Sequence, residues 1–244
     1  MPETWYVTSW LFLLGSFAGV ALESLWEIAV ERPRRFEPRA GILYLPLNPL
    51  YGAATVVGAL GLQPLAFSPV LVFAAGAVGF SAVEFVASLL LERAFGVVFW
   101  DYSDRPLNLG GRVCLEFAGY WGVLALALVY VADPALRGFI ALVPRPLGDL
   151  LVVALLCLTV GAAVATTLGF ARLRGRLAAR IAGRSGSPSS GWERLADRIA
   201  PSAAVLAAFP RMNLAARYRR LLRHPPEHDD DAVRIRRESA RIDE

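Results

Sequence analysis

The sequence predicts an all-α, polytopic membrane helix bundle of about five transmembrane helices, the second of them broken. Three observations carry that reading. The 244-residue chain is 56% hydrophobic, with a mean hydropathy of +0.48, against roughly 45–50% apolar residues in ordinary soluble domains. Segments 5–30, 42–62, 69–91, 113–131 and 147–171 are mostly apolar, and a span needs about 20 such residues. The arginines, finally, fall in alternate connections.

Span one begins after Met-Pro-Glu-Thr. It lacks the positive leader and small-residue cleavage site of a secretory signal, so it is expected to be retained. Arg32, Arg34, Arg35 and Arg39 follow it, whereas the connection after span two carries no charge. Arg93, Arg105 and Arg112 follow span three, and Arg172, Arg174, Arg176, Arg180 and Arg184 follow span five. The connection after span four has only Arg137 and Arg145. Cytoplasmic loops carry the arginine excess. This predicts a multi-pass protein of the cell (inner) membrane with its N-terminus outside and its C-terminus cytoplasmic. Trp5, Trp10, Trp26 and Trp100 fall near the predicted interfaces, as in an aromatic belt.

Span two opens Leu45-Pro46-Leu47-Asn48-Pro49-Leu50-Tyr51-Gly52. Each proline removes a backbone donor and disfavours helix just before it. Irregular backbone at membrane depth survives only inside protein or beside water, so a broken or re-entrant entry is expected.

Domain organisation follows from composition. Residues 1–182 form the bundle, and the Gly/Ser-rich 183–191 reads as a flexible linker. Residues 192–223 read as short basic amphipathic helices that lie on a membrane surface or pack on a partner. Residues 224–244 read as a disordered charged tail.

Composition also excludes chemistry. All 25 basic residues are Arg. Without Lys there is no phosphate-binding P-loop lysine and no lysine Schiff base, so the chain is not itself a conventional ATPase. His224 and His228 both lie in the tail, which excludes a histidine base or His-ligated zinc within the bundle. Cys114 and Cys157 lie on different predicted helices and read as apolar fillers.

Glu23, Glu27, Glu84 and Glu116 stand within the apolar stretches. A carboxylate there costs roughly 2–3 kcal/mol even on the lenient scale, so it faces a bundle interior or a wet cavity. Gly15, Gly19, Glu23 and Glu27 step by four, a row drifting only about 40° per step. Its glycines permit close helix approach. Gly76, Phe80, Glu84 and Ser88 repeat the pattern in span three. Glu23 and Glu84 fall at matched depth, about seven residues from the cytoplasmic helix ends, or roughly 10 Å. Asn48 and Tyr51 fall at a comparable level. The predicted site is therefore a polar cavity with Glu23 and Glu84 facing each other and Glu27, Glu116 and Arg112 nearer its mouth. The same glutamates could equally be static helix ties, neutralised by Arg39 or Arg112.

The second constellation is the loop from Phe99 to Glu116. Trp100, Asp101, Tyr102, Ser103, Asp104 and Asn108 give it a polar and aromatic density beyond the needs of a connection. Asp101, Ser103 and Asn108 suit turns and caps. Arg112 and Glu116 are spaced to pair along one helical turn.

Trp100-Asp101-Tyr102-Ser103, then Asn108-x-x-Gly111-Arg112-Val113-Cys114-Leu115, then Trp121-Gly122 resembles the ABC-transporter permease family also called CmpB-type or type IV. Arg39-Ala40-Gly41 and Pro46-x-x-Pro49-x-Tyr51-Gly52 resemble its second motif, and Glu23 sits where the family carries an acidic residue. Ala40 and Leu45 depart from its pattern. The likeness covers residues 15–125 or thereabouts. It implies a permease-like subunit of a membrane transporter, with a separate ATPase subunit as partner.

The expected function is transport through a carboxylate-lined site facing the cytoplasm, with no substrate specified. Two alternatives remain at this stage. One is a membrane-embedded enzyme acting on a lipid or isoprenoid, with Asp101, Asp104 and the glutamates as acid/base groups or ligands of a hard divalent ion. The other is a membrane scaffold or regulatory protein. No catalytic residue, metal or cofactor is assigned. Expected partners are the lipid membrane, the ATPase subunit and a second copy of the chain, with no nucleic acid among them. The topology predicts that a cysteine placed near Gln63 reacts with an impermeant reagent from outside and one placed near Glu37 does not. Labelling in the reverse pattern would overturn it.

Overall fold

The computed structural model describes residues 3–26, 28–29, 42, 45–95, 97–181, 198–199 and 213–214. Glu27, Arg39, the 183–191 linker, the 224–244 tail and nearly all of 192–223 lie outside the described residues.

The protein is an α-helical bundle. Its helices are α1 (Glu3–Trp26), α2 (Pro49–Gly61), α3 (Pro69–Phe95), α4 (Leu115–Ala127), α5 (Asp133–Leu142) and α6 (Arg145–Ile181). A single 3-10 turn, Gln63–Leu65, joins α2 towards α3. Among the described residues, four stretches are long and apolar enough to cross a membrane: Glu3–Trp26, Pro69–Phe95, Leu115–Leu142 and Arg145–Leu173. Two-residue strands β1 (Val97–Val98) and β4 (Asn213–Leu214) pair antiparallel, as do β2 (Asn108–Leu109) and β3 (Val113–Cys114).

The expected second span is corrected in length. Among the described residues of that span, the α-helix is Pro49–Gly61, 13 residues; at 1.5 Å per residue that is about 20 Å, short of a ~30 Å hydrocarbon core. Asn48 explains where it starts. Its backbone is extended, its side chain accepts from the Leu50 N–H at 3.1 Å, and Pro49 occupies the first turn. This is an N-cap followed by the one helical position that tolerates proline. The Asn48 N–H donates to the Ser16 carbonyl at 2.9 Å, so the irregular entry is satisfied by α1 rather than by water.

Span four is longer than the sequence suggested. Asp133-Pro134 looks like a stop, because a proline ring clashes with the carbonyl four residues back. The chain widens instead into a π-helical turn, Leu128–Ala132, directly before α5. The wider turn relieves the clash and the helix continues to Leu142.

Two compact units divide the chain. The first comprises Met1–Ala87 and Asp101–Val164. Here α1 is the most enclosed span, half buried, while the other spans present most of their surface outward. One core cluster gathers Ala54, Val72, Phe80, Trp121, Ala125 and Val129. A second gathers Tyr6, Trp10, Leu11, Ala59, Ile140 and Val152, so Trp10 is a core residue and not a belt residue. The second unit comprises Ser88–Trp100 and Ala165–Glu244. Within it, the Phe170 ring packs 4.8 Å from Phe95 and 5.8 Å from Phe99. Cys114 is buried, Cys157 is exposed, and both are free thiols.

The seam between α1 and α2 depends on small residues. Gly19 lies under the Tyr51 ring and Gly15 under Thr55. A Cβ on Gly52 would collide with Ser16 Oγ and come within 2.6 Å of the Phe12 carbonyl oxygen. A backbone oxygen cannot swing aside as a side chain can. Gly52→Ala is therefore expected to destabilise the bundle by about 1–3 kcal/mol, the usual cost of overpacking. Denaturant or thermal unfolding in detergent measures it, and an unchanged midpoint would contradict the packing described.

Candidate functional site

Glu84 is the buried acid of α3, only 4% exposed. Phe80 and Gly76, about one and two turns earlier on the same face, are also buried. Gly76 lets Ala125 of α4 pack against the α3 backbone, which brings the indole of Trp121 alongside. Trp121 Nε1 donates to Glu84 Oε2 at 2.9 Å, and the Tyr102 hydroxyl donates to Glu84 Oε1 at 3.1 Å. Each carboxylate oxygen thus has one neutral donor. Among the described residues no arginine is paired with Glu84; its two donors are a phenol and an indole.

Tyr102 reaches Glu84 from a loop that is knotted by its own hydrogen bonds. Asp101 Oδ1 accepts from the Ser103 N–H at 3.0 Å and from the Ser103 hydroxyl. The Tyr102 N–H donates to the Gly111 carbonyl at 2.8 Å, and the Arg105 N–H to the Tyr102 carbonyl at 2.9 Å. Asn108 Nδ2 donates to the Arg105 carbonyl at 2.8 Å, while its Oδ1 accepts from the Gly111 N–H at 3.0 Å. Gly111 is required twice over. Its φ of 70° is in the left-handed region, and a Cβ there would meet Asp101 Oδ1 at 2.6 Å. The loop motif noted in the sequence therefore positions one phenol.

Aromatic packing holds that phenol in place. The Tyr102 ring stacks on Phe117 with centroids 4.5 Å apart. Phe117 meets Tyr120 at 5.5 Å and Trp26 at 6.5 Å. On its other side Trp121 touches Phe80 at 5.8 Å and Tyr51 at 5.6 Å.

Glu23 has a different partner, accepting from Asn48 Nδ2 at 3.2 Å. Asn48 thereby caps α2 and binds the acid of α1 at once. The structure accordingly forms two groups, Glu23 with Asn48 and Tyr51, and Glu84 with Tyr102 and Trp121. They are joined by the Tyr51–Trp121 ring contact. Asn48 donates to Glu23, and Tyr102 and Trp121 donate to Glu84.

Other expected site residues sit further out. Glu116 is a surface group that pairs with Arg105 at 3.0 Å and accepts from the Tyr120 hydroxyl at 3.4 Å. Arg112 precedes the first residue of α4, so the helical spacing that would have paired it with Glu116 does not apply. Arg112 is half-buried, Asp104 is exposed, and Trp100 belongs to the second unit. Among the described residues no three His, Cys, Asp or Glu side chains converge as a metal site.

Sequence reasoning missed Trp121 as a donor, although a lone indole on a face with Gly122 and Ala125 is a readable signal. It also missed Asp133, which is 2% exposed. Asp133 accepts from Gln63 Nε2 at 2.8 Å and from Arg137 at 2.9 Å. The Asp133–Arg137 spacing of four was the available clue.

Four long apolar helices and a shorter fifth define a multi-pass membrane protein. A family model described as Putative ABC-transporter type IV matches residues 10–167, well over half of the chain, and the protein belongs to that family. Neither the curated proteins nor the solved structures gave a match. Membership makes this a membrane transporter-like protein, and the match takes in α1 through most of α6, including both acid-centred groups.

Tyr102 supplies a test outside the spans. Burial pushes its phenol above the ordinary tyrosine range, and the neighbouring Glu84 charge acts in the same direction. A folded-state pKa raised above the unfolded value stabilises the fold below about pH 10 and loses that contribution as pH rises further. Tyr102→Phe should lower stability near neutrality by about 1–3 kcal/mol, the cost of removing a donor from a buried acceptor. It should also flatten the alkaline loss of stability. Melting curves between about pH 8 and 11 measure both effects; parallel curves for the two proteins would contradict the assignment.

Proposed function

We propose that this protein is a permease-like transporter subunit whose solute site is built on Glu84, with Glu23 as a second acid, and opens towards the cytoplasm. The observation that supports this reading is the pair of neutral donors on a carboxylate inside a membrane-spanning helix. A structural tie is satisfied by an arginine, which cancels the charge. A phenol and an indole do not cancel it, so charge balance falls to a proton or to a cationic, donor-rich solute. Trp121 is fixed in α4, whereas Tyr102 is carried by a connection. Tyr102 is accordingly the donor that a solute would displace.

In this proposal the N-terminus is outside and the loop of Tyr102 is cytoplasmic, as the arginine distribution suggests. Energy for uptake or export comes from a separate ATPase subunit, because a chain without Lys has no P-loop lysine.

The test uses conservative variants. Gln preserves the size of Glu but cannot ionise. Purified protein in lipid vesicles is screened against inorganic and organic cations by thermal stability at two pH values. Glu84→Gln is expected to abolish a pH-dependent stabilisation seen in the parent, and Glu23→Gln to weaken it. Glu116→Gln, at the surface, should leave it unchanged. If both buried-acid variants fold and keep every pH-dependent response, the acids are structural and the proposal fails.

A further inference from the structure

A half-open pocket of about 550 Å³ lies by the start of α1, away from the acids described above. Glu3, Tyr6 and Val7 of α1, Arg137 of α5, and Val143 and Arg145 of the turn into α6 contribute to its walls. Glu3 and Glu23 are twenty residues apart on one helix, or about 30 Å, so this is a different site. Its lining combines charged residues, Glu3, Arg137 and Arg145, with apolar ones such as Val7, Leu142 and Val143.

The charged groups are fixed in advance. The Arg145 guanidinium lies 4.0 Å over the Tyr6 ring, pairs with Glu3, and bonds Asp149 at 3.2 Å. Arg137 uses its Nε for both oxygens of the buried Asp133 at 2.9 Å. Its terminal amino groups are thereby left as donors at the pocket, on a side chain 42% exposed. Asp133 and Asp149 hold the two arginines from behind and do not line the walls. Tyr6 is 3% exposed, yet its hydroxyl has no hydrogen-bond partner among the described residues. The 37-residue α6 begins at Arg145, so its positive end adds to the same field.

We infer that this pocket binds the headgroup of a zwitterionic phospholipid, a phosphate joined to an amine. Guanidinium groups suit phosphate oxygens because they offer several coplanar donors. Arg137, Arg145 and the start of α6 take the phosphate, and the exposed Glu3 takes the ammonium. The charged lining therefore matches a zwitterion better than a simple anion. The apolar lining includes Leu142, which is 81% exposed, and would receive the glycerol and the first acyl carbons. A lining that mixes charged and apolar groups favours a lipid over a free solute. Basic pockets between membrane helices hold lipid headgroups by the same physics.

Native mass spectrometry of the full chain in detergent, titrated with defined lipids, tests the site. Phosphatidylethanolamine should be retained about tenfold or more over diacylglycerol, which lacks the phosphate, equivalent to at least 1.4 kcal/mol. Arg137→Gln should remove that preference. Because Arg137→Gln also leaves the buried Asp133 without its cation, Ala141→Trp provides a second variant. Ala141 lines the pocket and is exposed, so a bulky ring there fills the site without removing a charge. Retention limited to the lipid supports a bilayer source. Competition by soluble O-phosphoethanolamine supports the same chemistry with a soluble source. Equal retention of phosphatidylethanolamine and diacylglycerol, or parent-like retention in Ala141→Trp, overturns the inference.

Discussion

A carboxylate inside a membrane bundle must be given hydrogen-bond donors or it will not stay there. Much of the first unit can be traced to meeting that demand at Glu84. One donor, Trp121, must approach from a neighbouring helix, and it can do so because Gly76 admits α4 closely. The other, Tyr102, comes from a connection, which by default would be mobile. A mobile donor is a poor donor. The knot of bonds among Asp101, Ser103, Arg105, Asn108 and Gly111 converts that connection into a rigid arm. Stacking on Phe117 then fixes the ring. The loop's unusual composition is thus a consequence of one buried oxygen pair two elements away.

The same logic explains the short second helix. Pro46 and Pro49 forbid a continuous helix, and irregular backbone in a bilayer needs partners inside the protein. Small residues on α1 and α2 let the two helices close to near contact. Closure delivers the Ser16 carbonyl to the Asn48 N–H and the Asn48 amide to Glu23. Asn48 thus joins helix start, helix seam and acid in one residue. Neither element could be arranged this way without the other.

What was legible in the sequence follows from which interactions are local. The apolar character of the spans, the glycine row, the interrupted entry at Pro46 and Pro49 and the turn chemistry of residues 101–111 all read directly, because each depends on near neighbours in the chain. The partners of the acids did not read. Glu84 bonds residues 18 and 37 positions away, and matched depth along separate helices says nothing of azimuth. Glu23 and Glu84 accept from different donors. Arg112 and Glu116 failed for a simpler reason: helical spacing was applied across a boundary where the helix had not begun. The π-helical turn before Asp133 was hidden because proline reads as a stop unless the preceding turn widens.

Family membership makes this a membrane transporter-like protein, and the proposed function rests on the kind of donor that meets Glu84. Arginine is abundant in this chain and several arginines flank the spans. Had the sequence required only a tie between α3 and α4, a guanidinium could have supplied two donors and the counter-charge together. Tyr102 and Trp121 supply geometry without charge. Under the proposed function, a carboxylate held in shape without a counter-charge retains a use for a proton or a cation, and Tyr102 is the donor whose movement would govern its release. In that arrangement, loop position and acid occupancy are two readings of the same hydrogen bond, which is what a transporter subunit needs if an event at the loop is to be felt within the membrane.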